Sequence, residues 1–293
     1  MKRQQTLANR VAILGLGLIG GSLALALKRA AAVSEIVAWG RNQQRLDKAI
    51  EMGIVDRATT DMAAAIAGAD VIVIATPLGT MSAVLDQLVA VLPSDMANNV
   101  TITDVGSAKV RLIELAKSRL NERFSRFVPG HPVAGAEHSG FEAATADLYE
   151  KRRVVLTPVS DTDATAVQLV TELWQCCGAE LVIMDAQSHD DLLALTSHLP
   201  HVVAYLLVDL LVQQGGQDAR QFAAGGFYDI TRIASSNPEM WRDIFNDNSD
   251  SVVKLLDHYI DGLSAFKQAI ADGDDEALMQ VMQRAKSARD GLV

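Results

Sequence analysis

The hexapeptide Gly15-Leu16-Gly17-Leu18-Ile19-Gly20 limits the fold of this chain more than any other segment. It follows an apolar run at 11–14 and opens a helical pattern, Ser22-Leu23-Ala24-Leu25-Ala26. A G-x-G-x-x-G spacing between a strand and a helix is what a phosphate-cradling turn needs. The first glycine lets the chain turn tightly. The second removes a side chain where a pyrophosphate must approach, and the third lets helix and strand pack closely. The helix N-terminus adds free N–H groups and a partial positive charge. Gly15, Gly17, Leu18, Ile19 and Gly20 are therefore the expected contacts to a dinucleotide. The alternative is a glycine-rich turn that binds nothing.

The same alternation continues downstream. Short, β-branched, nearly continuous apolar runs at 11–14, 36–39, 71–75, 101–104, 154–156 and 181–184 predict strands covered on both faces. Helical patterns at 22–32, 43–51, 81–92, 108–121 and 164–177 separate them. Strands alternating with helices of this length imply right-handed βαβ units and a doubly wound α/β sheet. Past 185 the strand signals stop. Residues 188–212 read as helix with an interruption at Pro200, and 238–271 and 274–289 read as helix too. The expected architecture is a Rossmann-type dinucleotide-binding domain over 1–185 and an all-α domain over 186–293, and 293 residues suit two domains. The helical part carries Leu192, Leu193, Leu195, Val202, Val203, Leu206, Leu207, Leu210 and Leu211. So apolar a face predicts burial against a second copy, a homodimer, with a wholly internal core as the alternative.

The turn after the second strand bears on which dinucleotide binds. A carboxylate there, about 20 residues past the glycines, would hold the ribose hydroxyls of NAD. The segment is Ala38-Trp39-Gly40-Arg41-Asn42, without a carboxylate and with Arg41 placed for a 2′-phosphate. This points to NADP over NAD, although a solvated Arg41 or one stacked on adenine would also fit. Thr76 and Pro77, in the turn Ala75-Thr76-Pro77-Leu78, are expected beside the ribose and nicotinamide.

Among the six histidines, His131 stands apart. It lies in Pro129-Gly130-His131-Pro132-Val133-Ala134-Gly135, too rich in Gly and Pro for a helix, and follows a strand at the edge where open α/β sheets carry ligands. Imidazole suits proton acceptance near neutral pH. Ser107, in Asp104-Val105-Gly106-Ser107-Ala108-Lys109, reads as a helix N-cap and could equally bond to His131 or to a substrate. Gly225-Gly226-Phe227-Tyr228-Asp229-Ile230-Thr231-Arg232-Ile233 makes a poor helix interior, so a non-helical feature is expected there. Arg232 could grip a carboxylate in a two-point fork, or pair with Asp229.

A net charge of −10 argues against nucleic acid or an anionic membrane as partner. The adjacent Cys176 and Cys177 lack disulfide or metal spacing, which fits a reducing cytoplasm. The basic N-terminus and the apolar stretch 11–27 imitate a secretory leader, but the spaced glycines and Lys28-Arg29 fit a strand-turn-helix better. The apolar run 202–212 is too short to span a bilayer and contains Asp209.

Taken in order, Gly-Leu-Ile-Gly-Gly-Ser-Leu-Ala at 17–24, Asp-Val-Gly-Ser-Ala-Lys at 104–109, Gly-His-Pro-Val-Ala-Gly-Ala-Glu-His-Ser-Gly at 130–140, Ser-His-Leu-Pro-His at 197–201 and Gly-Gly-Phe-Tyr-Asp-Ile-Thr-Arg-Ile-Ala at 225–234, with Trp241 beyond, resemble the prephenate/arogenate (cyclohexadienyl) dehydrogenases of tyrosine biosynthesis. The resemblance runs over nearly the whole chain. It implies oxidative decarboxylation of prephenate or arogenate with hydride transfer to NAD(P)+. It implies that His131 takes the proton of the ring hydroxyl, that Ser107 bonds to that hydroxyl, and that Arg232 binds a substrate carboxylate. His201, Glu137, Asp229, Gly225 and Trp241 match pocket or gating positions, and the helical third matches a dimerisation domain. Many members carry an acidic residue where this chain has Gly40, which again points away from NAD. No fused mutase or regulatory domain is expected from the sequence, so any feedback by tyrosine would act at the active site. Two other readings compete. One is a β-hydroxyacid or 6-phosphogluconate-type dehydrogenase, which would use Lys254 or Lys267. The other is a non-catalytic dinucleotide sensor.

Overall fold

The computed structural model describes residues 6–93, 99–135 and 139–291. A parallel sheet has the strand order β3-β2-β1-β4-β5-β6, from β1 (Ala8–Leu14), β2 (Val33–Trp39), β3 (Arg57–Thr59), β4 (Val71–Ile74), β5 (Thr101–Asp104) and β6 (Phe127–Val128). This is the doubly wound order, with the switch point between β1 and β4. The continuous apolar runs have a simple cause. Val11, Ile13, Ile36, Ala38, Val71 and Val73 pack into one core layer, and Ala12, Leu14, Val37, Trp39, Ile72 and Ile74 into the other. Alternate side chains of these central strands therefore meet apolar helices on both faces.

The helices of this half are α1 (Leu18–Arg29), α2 (Gln43–Glu51), α3 (Met62–Ile66), α4 (Met81–Val91), α5 (Val110–Leu120) and α6 (Ala164–Cys176). One expectation fails here. The runs at 154–156 and 181–184 do not extend the main sheet. They form β8 (Arg153–Leu156) and β9 (Glu180–Ile183), which join β7 (Gly130–Pro132) in a separate sheet ordered β7-β8-β9. β7 runs antiparallel to β8 with His131 opposite Val155. The edge strands β3, β6 and β7 are two or three residues long and lie outside the sequence expectation, because so few residues carry no periodicity.

The remaining chain is helical: α7 (Ala186–Leu193), α8 (Leu199–Gln221), α9 (Gly225–Thr231), α10 (Pro238–Asp247), α11 (Ser249–Asp272) and α12 (Asp275–Asp290). Three details differ from expectation. Pro200 does not interrupt the helix, because a π-turn at Ala194–His198 widens the ladder just where the proline N–H is missing. The Gly225-Gly226 segment is helical after all. Both glycines occupy the first turn of α9, where the N–H groups need no intrahelical partner. The span 238–271 breaks at Asn248, whose side chain is drawn inward. Because the π-turn keeps the helix continuous, Ala186–Gly215 is long and apolar enough to cross a membrane by length and composition, so the length argument from 202–212 fails. That stretch nonetheless commits His189, Asp190 and His198 to hydrogen bonds inside the fold.

Candidate functional site

At the glycine turn the backbone enforces the sequence. Gly15 has φ +100, and a Cβ there would land 2.7 Å from Thr76 Cγ2 and 2.8 Å from the Ala75 backbone. A Cβ at Gly20 would land 2.5 Å from Gly15 O and 3.0 Å from Ile13 Cγ2, so α1 could not lie this close to β1. At Gly17, the N-cap of α1, a Cβ would meet nothing within 4 Å, which leaves the approach to the first-turn amides open. No side chain caps α1, and its first turn holds no acidic residue. Tyr149 Oη donates to Ile19 O at 2.6 Å and pins that turn. Beside it, Thr76 Oγ1 is buried without a hydrogen-bond partner among the described residues, and Pro77 is exposed. Open amides, open space at Gly17 and an orphaned hydroxyl fit a dinucleotide pyrophosphate and ribose. Arg41 is exposed past the end of β2 with no hydrogen bond or ion pair among the described residues. Arg45 and Lys48 are instead engaged with Glu142, at 3.3 and 3.4 Å.

His131 sits on β7, a strand and not the expected loop, and is 7% exposed. Its Nδ1 lies 2.9 Å from His189 Nε2, with the rings edge-on. His189 Nδ1 lies 2.7 Å from Asp190 Oδ1. Burial first, then the neighbouring His189, Lys109 and His198, hold the His131 pKa well below the ordinary imidazole value. His131 is therefore a neutral base at neutral pH.

Asp104 and Lys109 form a fully buried ion pair. Lys109 Nζ also donates to Gly130 O at 2.8 Å, and Asp104 accepts from Gly106 N at 2.7 Å and from Gly130 N at 3.1 Å. Burial lowers the Lys109 pKa and Asp104 opposes that. The pair ties the end of β5 to the residue preceding His131.

Ser107 does not cap the helix. The N-cap of α5 is Lys109, and the first-turn donors Lys109 N and Val110 N are taken by Asp190, at 2.8 and 2.9 Å. A carboxylate from another element has displaced the local hydroxyl, and Ser107 makes no hydrogen bond among the described residues. In the helical half, His201 stacks on Trp241 with centroids 3.5 Å apart, and His198 meets the same ring edge-on. Trp241 Nε1 is buried and lacks a partner among the described residues. Asn248 Nδ2 donates to Asp190 O at 2.8 Å and lies 3.1 Å from His198 Nδ1, which links the histidine cluster around Trp241 to that around His131. Gly225 and Asp229 lie exposed on α9, and Arg232 is exposed at the start of the 3-10 turn Arg232–Ser235. Glu137 lies outside the described residues.

His189, Asp190 and Asn248 belong to none of the sequence motifs, and His198 only to Ser-His-Leu-Pro-His at 197–201. The one local signal was His-Asp in the first turn of a helix that Asp185 already caps. These histidines carry a stability consequence. Burial, opposed by Asp190, holds His198 at about 4, against 6.5 for the ordinary side chain. As pH falls through that window the unfolded chain takes up protons that the folded protein does not, so stability falls. His198 alone accounts for a loss of about 2 kcal/mol by about pH 5. The urea midpoint is expected to drop accordingly between about pH 7.5 and about pH 5. An unchanged midpoint would mean the cluster charges without cost.

Comparison with known proteins fits this geometry. Residues 23–183 match the prephenate dehydrogenase nucleotide-binding domain, and residues 185–284 match the prephenate dehydrogenase dimerization domain. The cyclohexadienyl dehydrogenase of Zymomonas mobilis is 34% identical over 97% of this chain and 96% of its own. The crystal structure of prephenate dehydrogenase from Aquifex aeolicus, solved with hydroxyphenyl propionate and NAD+, superposes with a TM-score of 0.91 at 34% identity over the whole of both chains. Synechocystis arogenate dehydrogenase superposes with a TM-score of 0.81 at 28% identity, over 97% of this chain and 100% of its own. With two family matches covering most of its length, on a doubly wound domain followed by helices, the chain belongs to the prephenate dehydrogenase family.

Proposed function

We propose that this protein oxidatively decarboxylates prephenate to 4-hydroxyphenylpyruvate, arogenate to tyrosine, or both, passing hydride to NAD(P)+ and preferring NADP+. The observation that carries the reading is His131: a buried, neutral imidazole on β7, tied through Gly130 to Asp104 at the end of β5. A bound nicotinamide supplies the hydride acceptor. The protein's own groups then have a small task. Loss of CO2 makes the ring aromatic, so the driving force resides in the substrate, and the protein must align the ring carbon, accept one proton and hold an anion.

In this reading His131 accepts the proton of the ring hydroxyl and Ser107 bonds to that hydroxyl. Arg232 holds a carboxylate, and His201, Glu137, Asp229, Gly225 and Trp241 shape or gate the pocket. Gly15, Gly17, Leu18, Ile19 and Gly20 hold the pyrophosphate, with Thr76 and Pro77 beside the ribose. The helical part over 186–293 would dimerise through leucines that are exposed in the single chain, including Leu206 and Leu210, to give a cytoplasmic homodimer.

The test is direct. Purified protein is mixed with prephenate or arogenate, and the reduced-nicotinamide absorbance is followed with NAD+ and NADP+ in parallel. Turnover with neither substrate would overturn the reading. The cofactor preference rests on Arg41 and the carboxylate-free turn. Arg41→Ala is expected to raise the KM for NADP+ about tenfold, the equivalent of roughly 1.4 kcal/mol, and to leave that for NAD+ unchanged. Equal effects on both cofactors would instead place Arg41 against the adenine.

A further inference from the structure

His131 is held by a pair of residues 58 and 59 positions along the chain, and the order of its hydrogen bonds can be read from one end. Asp190 accepts from Lys109 N and Val110 N in the first turn of α5, where free amides and the helix dipole favour an anion. A carboxylate only accepts hydrogen bonds, so His189 Nδ1, 2.7 Å away, carries a proton. With one N–H on the His189 ring, already committed at Nδ1, its Nε2 is a bare lone pair. The atom 2.9 Å from it, His131 Nδ1, must then be the donor, and the remaining nitrogen of His131, Nε2, is left free to take a proton. Neighbouring helix residues do not normally face one another. The contact between His189 and Asp190 exists because α5 draws the carboxylate to its own N-terminus.

We infer that His189 and Asp190 are a positioning relay for His131, fixing its proton on Nδ1 so that Nε2 is the base. The inference rests on His131 being the proton acceptor of the proposed reaction. The groups that face the relay are Lys109 and its partner Asp104 from the turn before α5, His198 from the π-turn, and Asp247 of α10, felt through Lys109. A charged His189 would add a second buried cation near the Lys109 ammonium and would turn the hydrogen bond to His131 around. His131 would then carry its proton on Nε2 and could accept none there. During turnover the hydroxyl proton moves to His131 Nε2. The Nδ1 proton can pass to His189 Nε2, which places the new positive charge against Asp190. Each step moves one proton, and reversing the relay after product release returns it to solvent.

The test combines nitrogen-15 NMR of labelled histidines with two variants. In the unmodified protein at neutral pH, His131 is expected to be protonated on Nδ1 and bare on Nε2. His189→Ala is expected to lose that tautomer and to lower kcat on the order of a hundredfold, with dinucleotide affinity, read by fluorescence titration, unchanged. His189→Gln, whose amide oxygen can still accept from His131 Nδ1, is expected to recover most of the loss. A wild-type His131 protonated on Nε2, or alanine and glutamine variants that both turn over like wild type, would overturn the relay. The NMR result stands even if His189→Ala does not fold. Failure of the wild type to oxidise either substrate would instead overturn the function on which the relay rests, while the tautomer measurement still decides the hydrogen-bond order.

Discussion

Replacing His131 with Asn is expected to lower turnover by about three orders of magnitude while leaving dinucleotide binding intact. The two effects separate because the groups separate in the fold. The proposed cofactor cradle comprises Gly15, Gly17, Gly20 and the open first turn of α1. His131 lies on β7, in the other sheet. Asn is shorter than His and is not a base at neutral pH, so the position still fills with a polar side chain and no proton is accepted. Steady-state kinetics with prephenate and arogenate give the loss, and fluorescence titration with the reduced dinucleotide gives the binding. A variant that keeps wild-type turnover would remove His131 from the chemistry and move the proton acceptor to another group. A variant that loses binding as well would mean that β7 supports the cradle directly.

The largest stability effect is expected at Lys109. Lys109→Met keeps the length of the side chain and removes the ammonium. Asp104 then retains its bonds from Gly106 N and Gly130 N but has no cation, and Gly130 O loses its donor. An uncompensated buried carboxylate costs about 3–5 kcal/mol. For a chain of this size that corresponds to a fall of roughly 10 °C in Tm. The double variant Asp104→Asn/Lys109→Met removes the stranded charge and is expected to recover part of the loss. Thermal melts of the three proteins decide the matter. A single variant that melts with wild type would mean that Asp104 takes up a proton at little cost. Because Lys109 and Asp104 both grip Gly130, the single variant should also loosen the strand that carries His131.

Much of the fold was legible in the sequence because its signals are local. A run such as Val-Ile-Val-Ile at 71–74 must be buried on both faces, so the central strands could be read without a partner in view. Gly15 and Gly20 are demanded by atoms within a few residues or on the adjoining strand, and their spacing records it. His131 was legible as a candidate because Gly130 and Pro132 exclude a helix around it. The capping role given to Ser107 was wrong for an equally physical reason. Propensity ranks the nearby hydroxyl, but the first turn of α5 is satisfied by Asp190, 80 residues away from Val110.

Residue types and short-range spacing thus determined by themselves that the chain folds as an α/β dinucleotide-binding domain followed by helices, and that the turn at Gly15–Gly20 leaves the first amides of α1 open. Only the tertiary structure decided that β7, β8 and β9 leave the main sheet, and that Pro200 is absorbed by a π-turn. It alone joined His131 to His189 and Asp190. Hydrogen-bond order around a buried imidazole depends on donors and acceptors brought together across 58 residues, and no local periodicity records such a meeting.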